Sequence, residues 1–228
     1  MCILKHNLYF QTLLITIPNA EPDRWDEGLH NNKTWSAAIN RQDPTFFPTL
    51  ALAQKPQILW FGCSDSRVPE TTLLGLKPGD VFVHRCIANI VKSKEVTAHS
   101  VLDYAIDHLK NEATGEHYIR DIVVCGHTNC GGCAAAMADT TDNGGPIDAW
   151  LRPLRALRKE LTPQWDIEGL DEEARKKALI VANVVAGVKE LKALPNVAEA
   201  MEKRRLQLHG AVYSLESGLV REIRTSAL

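Results

Sequence analysis

Two short segments of the chain carry side chains that bind metal ions. The first contains Cys63, followed by Asp65 and Arg67, and the second contains His127 and Cys130. Two cysteines and one histidine suit zinc, and a site with three protein ligands keeps a fourth position open, as catalytic zinc sites do. The pattern therefore predicts a catalytic zinc site, where the metal lowers the pKa of a bound water molecule and supplies hydroxide.

Asp65 and Arg67 are placed to control the fourth position. Asp65 lies two residues after Cys63 and can act as a conditional fourth ligand, while the planar guanidinium of Arg67 is suited to hold a carboxylate. We expect two states, one with Asp65 on zinc and water excluded, the other with Asp65 paired with Arg67. The alternative is an ordinary surface ion pair, worth about 0–1 kcal/mol.

The individual cysteines and the histidine also have simpler interpretations. Taken singly, His127 and Cys130 are more often core residues than ligands. Their His-x-x-Cys spacing after a predicted strand, followed by two glycines, favours metal binding. Cys125 is the rival ligand. Cys130 and Cys133 formally make a C-x-x-C redox motif, but Cys130 is the predicted ligand and Cys133 is expected to pack within a helix.

Apolar runs alternate with helical periodicity, which predicts an α/β fold. We expect a mainly parallel central sheet of about four parallel strands plus an antiparallel edge strand, flanked by helices. The predicted strands are at 58–61, 81–83, 122–124, 207–215 and 219–223, the last two forming a hairpin. The predicted helices are at 95–109, from about 130, at 148–160 and at 171–194.

The chain length of 228 residues is suited to one domain with a full core. We predict an N-terminal extension over residues 1–21 and a single domain over 22–228. This domain includes an N-terminal helical arm at about 22–53, broken at Pro44 and Pro48.

The predicted strands also locate the metal site. Cys63 follows the first strand and His127 follows the third, so both lie at carboxyl ends. If these strands are neighbours and the second strand lies outside the first, the zinc sits at a switch point, where open α/β sheets bind ligands.

Composition excludes several function classes. The net charge is −2 and no long basic block occurs, so neither nucleic acid nor a membrane surface is an expected partner. The apolar stretch at 13–17 is too short to span a bilayer.

The six cysteines do not have the spacing of a disulfide scaffold, which indicates a reducing compartment. We expect the cytoplasm, with the mitochondrion as the alternative, although the N-terminal segment lacks the arginines of a presequence.

Five motifs occur in order between about residues 35 and 220. They are CSDSRVPE at 63–70, PGDVFVHR at 78–85, IAN at 87–89, CGHTNCGG at 125–132 and LHGAVY at 208–213. On these motifs the chain resembles a β-class carbonic anhydrase. The resemblance implies zinc-dependent, reversible hydration of carbon dioxide to bicarbonate and a proton. It also implies a homo-oligomer, either a dimer or a tetramer, with the N-terminal arm on a neighbouring subunit.

The resemblance further implies a substrate pocket that is completed across the dimer interface. Gln54 corresponds to a glutamine that points at bound substrate, and the alternative is an exposed residue at a helix end. Val68 and Ile87 are expected to supply apolar walls for carbon dioxide, and Gly131 is expected to lie beside the substrate. Cys86 stands where the family usually carries asparagine. Cysteine lacks the side-chain amide of asparagine, so the hydrogen bond that this amide makes in the family is in doubt here.

Some members of the family bind bicarbonate at a second, regulatory site. Its residues correspond to Trp60, Gly62, Arg85 and Tyr213, all of which are present. The alternative is that Trp60 and Tyr213 are core aromatic residues and Arg85 is an interface ion-pair residue.

Three other functions compete with carbonic anhydrase activity. Carbon disulfide or carbonyl sulfide hydrolysis would use the same zinc ligands and differ in pocket access. A non-catalytic bicarbonate sensor would keep the fold and the zinc, but the presence of Asp65 and Arg67 argues against it. A structural zinc module is disfavoured because the ligands come from distant strands.

Overall fold

The computed structural model describes residues 23–92, 95–138 and 144–223. The chain divides into two units, one ending at Ala53 and the other beginning at Gln54. This boundary coincides with the end of the predicted arm, whereas the predicted extension over 1–21 lies outside the described residues. The assignment of 22–228 to a single domain stays a prediction.

The first unit consists of two helices, α1 (Arg24–Gln42) and α2 (Phe46–Leu52). The side chain of Asp23 caps α1 by accepting a hydrogen bond from the backbone N–H of its third residue. The predicted break at Pro44 is confirmed, because α1 ends before it. The predicted break at Pro48 is wrong, since this proline is the third residue of α2, where a helix needs no N–H donor.

The second unit is built on one five-stranded sheet with the order β2-β1-β3-β4-β5. The first four strands are parallel and β5 is antiparallel to β4, so the predicted fold class is confirmed, including the position of β2 outside β1. The strands are β1 (Ile58–Cys63), β2 (Val81–Cys86), β3 (Asp121–His127), β4 (Gln207–Ser214) and β5 (Leu219–Ile223).

The helices of the second unit connect these strands. They are α3 (Glu70–Leu74), α4 (Val96–Asp103), α5 (Gly131–Met137), α6 (Pro146–Ile167), α7 (Glu172–Lys192) and α8 (Pro195–Arg204). A π-helical segment, Tyr104–His108, completes the predicted helix at 95–109. The sequence did not predict α3 or α8. Among the described residues, no helix is both long and apolar enough to cross a membrane.

Alternate residues of the central strands face opposite sides of the sheet. Leu59 and Phe61 of β1 pack in one core cluster with Val124 of β3 and Val184 of α7. Trp60, between the first two, belongs to a separate cluster. The strands are therefore anchored on both faces, which fixes where their carboxyl ends lie.

His209 links three strands by ionic hydrogen bonds. Its Nδ1 lies 2.7 Å from Oε1 of Glu222 on β5, and its Nε2 lies 2.9 Å from Oδ1 of Asp121 on β3. Burial lowers the pKa of His209, but the hydrogen bonds to Glu222 and Asp121 outweigh burial and raise it above its ordinary value. The imidazolium form therefore stabilises the folded state.

We expect His209→Gln to destabilise the protein more at acid than at alkaline pH. Because the folded pKa is raised, the contribution of His209 is complete below the ordinary histidine pKa and falls as pH rises through the folded pKa. The loss of unfolding free energy should be about 1 kcal/mol near pH 6 and smaller at alkaline pH.

Urea unfolding at constant ionic strength, protein and zinc concentration measures this difference. His30→Gln, a change of an exposed histidine on α1, is the matched control. A destabilisation by His209→Gln that stayed constant or grew with pH would contradict the interpretation.

Candidate metal centre

Three buried side chains converge at the carboxyl edge of the sheet. Cys63 is the last residue of β1, His127 is the last residue of the neighbouring strand β3, and Cys130 is the N-cap of α5. Their ligand atoms all lie within 4.8 Å of one another, so the group could hold a metal ion. The rival residue Cys125 packs with Trp60 and is outside this group.

The donor atoms fit a zinc ion. The Nδ1 of His127 lies 2.9 Å from the carbonyl oxygen of Thr128, which places the ring proton on Nδ1 and leaves the lone pair of Nε2 for a metal. This Nε2 is buried and has no hydrogen-bond partner among the described residues. Such an atom is costly unless it gains a partner, which a metal would provide.

As thiolates, the two cysteines would need a cation beside them. A hydrogen bond with Cys130 and burial raise the pKa of Cys63 to about 12, so its thiolate needs a positive partner at neutral pH. Two thiolates and an imidazole are donors that favour zinc over hard cations such as magnesium or calcium. The residues present therefore fit the expected metal.

Asp65 lies beside this group and is held by Arg67. Its Oδ1 accepts hydrogen bonds from the backbone N–H and the Nε of Arg67, both at 2.9 Å, and its Oδ2 accepts one from Nη2 at 2.7 Å. The guanidinium holds the pKa of Asp65 well below its usual range. Because Oδ2 is also 3.8 Å from Nε2 of His127, the carboxylate borders the metal position while paired with Arg67. This is the Asp65–Arg67 pairing expected from the sequence for the open state, which stays a prediction.

A second contact ties Arg67 to the loop that carries the other ligands. Its Nη2 donates a hydrogen bond to the carbonyl oxygen of Asn129, at 3.2 Å. Asn129 has a φ of 53°, in the left-handed region that asparagine tolerates better than most residues. The backbone between His127 and Cys130 is thus shaped to face the Asp65–Arg67 pair.

Glu216, in the turn between β4 and β5, fixes this loop and was not singled out from the sequence. Its Oε2 accepts hydrogen bonds from the hydroxyls of Thr128 (2.7 Å) and Ser214 (2.9 Å). Its Oε1 accepts a hydrogen bond from Nδ2 of Asn129 at 2.8 Å. These hydrogen bonds lower the pKa of Glu216, the largest effect being that of Thr128. No motif marks this residue, since only the pairing of β4 with β3 brings it beside the loop.

The start of α5 packs against the turn after β2. A Cβ at Gly132 would lie 2.8 Å from Cβ of Ala88, whereas a Cβ at Gly131 would meet none of the described atoms within 4 Å. Ala88 has a φ of 57°, and its carbonyl accepts a 2.7 Å hydrogen bond from Asn183. Gly132, more than Gly131, is therefore the glycine that close packing requires.

The predicted substrate residues lie in different places. Val68 is buried in the same cluster as Cys63, while Ile87 is 41% exposed and Gly131 is exposed at the start of α5. Gln54 is exposed and precedes the amino end of β1, whereas Cys63 is at its carboxyl end. A strand of this length spans about 20 Å, so Gln54 is at the opposite edge of the sheet from the metal group of its own chain.

The four residues predicted for bicarbonate regulation are neighbours. A Cβ at Gly62 would lie 2.4 Å from Nε1 of Trp60, so the indole covers this glycine, and Arg85 is its register partner on β2. Tyr213 packs in the same cluster as Trp60. The side chain of Arg85 donates hydrogen bonds to the carbonyl oxygens of Cys63, at 2.8 Å, and Asp65. Arg85 therefore braces the segment that carries a ligand and the carboxylate.

Comparisons with known proteins agree with this architecture. A sequence model of the family described as carbonic anhydrase matches residues 58–220. A carbonic anhydrase of Emericella nidulans is 37% identical over 200 residues, covering 87% of this chain and 82% of the relative.

Two solved fungal structures are also similar. A tetrameric β-carbonic anhydrase of the filamentous ascomycete Sordaria macrospora shares 41% identity at a TM-score of 0.80, covering 88% of this chain and 96% of that chain. The β-carbonic anhydrase CafA of Aspergillus fumigatus shares 41% identity at a TM-score of 0.81, covering 89% and 92% respectively. The region matched by the family model, residues 58–220, includes Cys63, His127 and Cys130.

We expect Glu216→Gln to accelerate loss of the metal by about tenfold, the scale for residues that orient metal ligands. A carboxylate has only acceptors and can accept from all three donors, whereas the amide N–H₂ of glutamine would face another donor. Zinc release to a chromogenic chelator measures the rate. The exposed Glu199→Gln on α8 is the matched control. Equal rates in both variants would exclude a role of Glu216 in holding the loop.

Proposed function

Because the chain belongs to the β-class carbonic anhydrase family of enzymes, we propose that it catalyses the reversible hydration of carbon dioxide to bicarbonate and a proton, with zinc bound by Cys63, His127 and Cys130. The main supporting observation is the geometry of the buried donor group, with ligand atoms within 4.8 Å of one another, beside a carboxylate held by Arg67. Zinc, when bound, supplies hydroxide near neutral pH by lowering the pKa of water.

The surrounding residues would prepare this chemistry. Hydrogen bonding by Arg67 keeps Asp65 ionised across the neutral range, so its Oδ2 can accept a hydrogen bond from the reacting oxygen. Arg67 also keeps the carboxylate from moving onto the metal. The backbone of Thr128 fixes the ring of His127, and Arg85 braces the backbone of Cys63 and Asp65. Little reorganisation is then needed during the reaction.

The proposed substrate pocket requires more than one subunit. Val68 offers a buried apolar wall suited to carbon dioxide, and Ile87 and Gly131 extend this region. Gln54 lies at the opposite edge of the sheet from its own metal group, so we propose that it serves the site of a neighbouring subunit. The protein is accordingly proposed to be a dimer or a tetramer, as the tetrameric Sordaria macrospora relative is.

The competing functions are distinguished by substrate. Carbon disulfide and carbonyl sulfide hydrolysis would use the same donor group and must be assayed alongside hydration. The presence of both Asp65 and Arg67 supports catalysis over a non-catalytic sensor, because Arg67 offers the carboxylate a partner away from the metal. The need for reduced ligand thiols supports a cytoplasmic location, with the mitochondrion as the alternative.

We also propose bicarbonate regulation at Trp60, Gly62, Arg85 and Tyr213. Arg85 connects this site to the metal centre, because it donates to the carbonyl oxygens of Cys63 and Asp65. An anion that drew the guanidinium away would remove those hydrogen bonds and loosen the segment carrying Asp65. This coupling supports inhibition through the Asp65–Arg67 pair.

Arg67→Ala is expected to retain zinc and to lower kcat/KM for carbon dioxide hydration by at least about a hundredfold, the scale for losing a positioned polar group. Without Arg67, the Asp65 carboxylate is free to occupy the fourth position on the metal. Stopped-flow hydration and metal analysis are the measurements. Arg24→Ala, which breaks the exposed Arg24–Glu27 pair on α1, is the matched control. Near-normal turnover in Arg67→Ala, or hydrolysis of a sulfur substrate without hydration in the parent protein, would refute the proposal.

Trp60→Phe should abolish cooperative inhibition by bicarbonate and raise the inhibitory concentration by about tenfold, equivalent to the loss of one favourable contact. Phenylalanine keeps an aromatic ring at this position and removes the indole N–H that lies over Gly62. Initial rates at increasing bicarbonate give the inhibition curve. Trp165→Phe, a buried tryptophan of α6, is the control. Simple hyperbolic inhibition of the parent protein would argue against the second site.

A further inference from the structure

A second cysteine lies one helical turn from the ligand Cys130. Cys130 is the N-cap of α5, and Cys133 is the third residue of that helix. Both residues are 2% exposed, belong to the same buried cluster and line the same cavity. Cys133 does not belong to the group of metal ligands. An uncommitted thiol therefore lies within one helical turn of a ligand cysteine.

The chain between these two cysteines permits a disulfide. Gly131 and Gly132 separate them, so no side chain stands in the short loop that a disulfide would close. A Cβ at Gly131 would meet no neighbouring side chain within 4 Å, so the chain has room to adjust at Gly131, whereas Gly132 is packed against Ala88. In the first turn of a helix, the N-cap and the third residue lie close together, which is why they often form hydrogen bonds with each other.

A cavity leads from the surface to this pair. It has a volume of about 190 Å³ and is lined by both Cys130 and Cys133, but Cys63 does not line it. Its lining also includes the exposed residues Asn129, Glu173 and Lys177. The volume exceeds the roughly 30 Å³ share of a water molecule several times, so the cavity has room for a molecule of the size of hydrogen peroxide.

We propose that Cys130 and Cys133 form an oxidation site, at which hydrogen peroxide converts the two thiols to a disulfide and releases zinc. This proposal rests on the proposed zinc ligation. The Cys130 thiolate attacks one peroxide oxygen, the O–O bond breaks, and a sulfenic acid and hydroxide form. The Cys133 sulfur then attacks the oxidised sulfur, the S–S bond forms, and the S–O bond breaks. The Cys133 proton leaves with the departing oxygen as water.

The reaction removes a ligand while the other two stay unchanged. The two sulfurs lose two electrons in total, and the peroxide is reduced to water and hydroxide. Cys63 and His127 alone provide two ligands, fewer than zinc sites use, so the metal dissociates. A dithiol reductant and added zinc reverse the change, because the disulfide is the only new bond.

The experiment uses the full, reduced chain loaded with zinc, whose metal content is measured before oxidation. Hydrogen peroxide is added, zinc release is followed with a chromogenic chelator, and the disulfide is located by peptide mass spectrometry. The parent protein should release zinc, lose the mass of two hydrogen atoms and yield a peptide linked between Cys130 and Cys133. Cys133→Ala should bind zinc and release it at least about tenfold more slowly, since the thiol proposed to attack the sulfenic acid at Cys130 has been removed. Cys125→Ala, another buried cysteine, should behave as the parent does.

Three results would overturn the oxidation site. They are zinc release from Cys133→Ala as fast as from the parent, a disulfide that joins Cys63 to Cys130, or peroxide treatment that leaves zinc bound. Absence of zinc before oxidation would instead refute the proposed metal ligation. If Cys133→Ala does not fold, Cys133→Ser and the peptide map of the parent protein decide the question.

Discussion

The metal centre depends on the parallel pairing of β1 with β3. This pairing places Cys63 and His127 at one edge of the sheet, although 64 positions separate them along the chain. Both strands are buried, with Leu59, Phe61 and Val124 in the same core cluster. A slip of one residue between the strands would turn their side chains to the opposite faces and separate the ligands. The hydrophobic core therefore sets the metal geometry.

The polar contacts around the metal group form one connected set. Arg67 holds Asp65 by three hydrogen bonds and also reaches the carbonyl oxygen of Asn129. Glu216 holds Asn129 from the other side, and Arg85 holds the backbone of the first ligand segment. Such a set favours one arrangement of the ligands, and its parts are coupled, so single substitutions should not act independently.

Much of this structure could be predicted from the sequence, because local patterns carried the information. Apolar runs marked the strands, and the His127-x-x-Cys130 spacing marked the ligands that the structure brings together with Cys63. The prediction of a helix break at Pro48 was wrong, because a proline in the first turn of a helix cannot be told from a helix breaker until the start of the helix is known. Glu216 could not be found in advance, since its partners Thr128 and Asn129 are almost ninety positions away.

Zinc-edge X-ray absorption of the reduced protein would identify the atoms that bind the metal. We expect a single zinc site with two sulfur neighbours at about 2.3 Å and lighter neighbours at about 2.0–2.1 Å, one of them an imidazole nitrogen. Substitution of Cys63, Cys130 or His127 should each remove one neighbour of the corresponding type. A protein that binds no zinc, or a zinc ion surrounded by four sulfur atoms, would refute the ligand set of Cys63, His127 and Cys130.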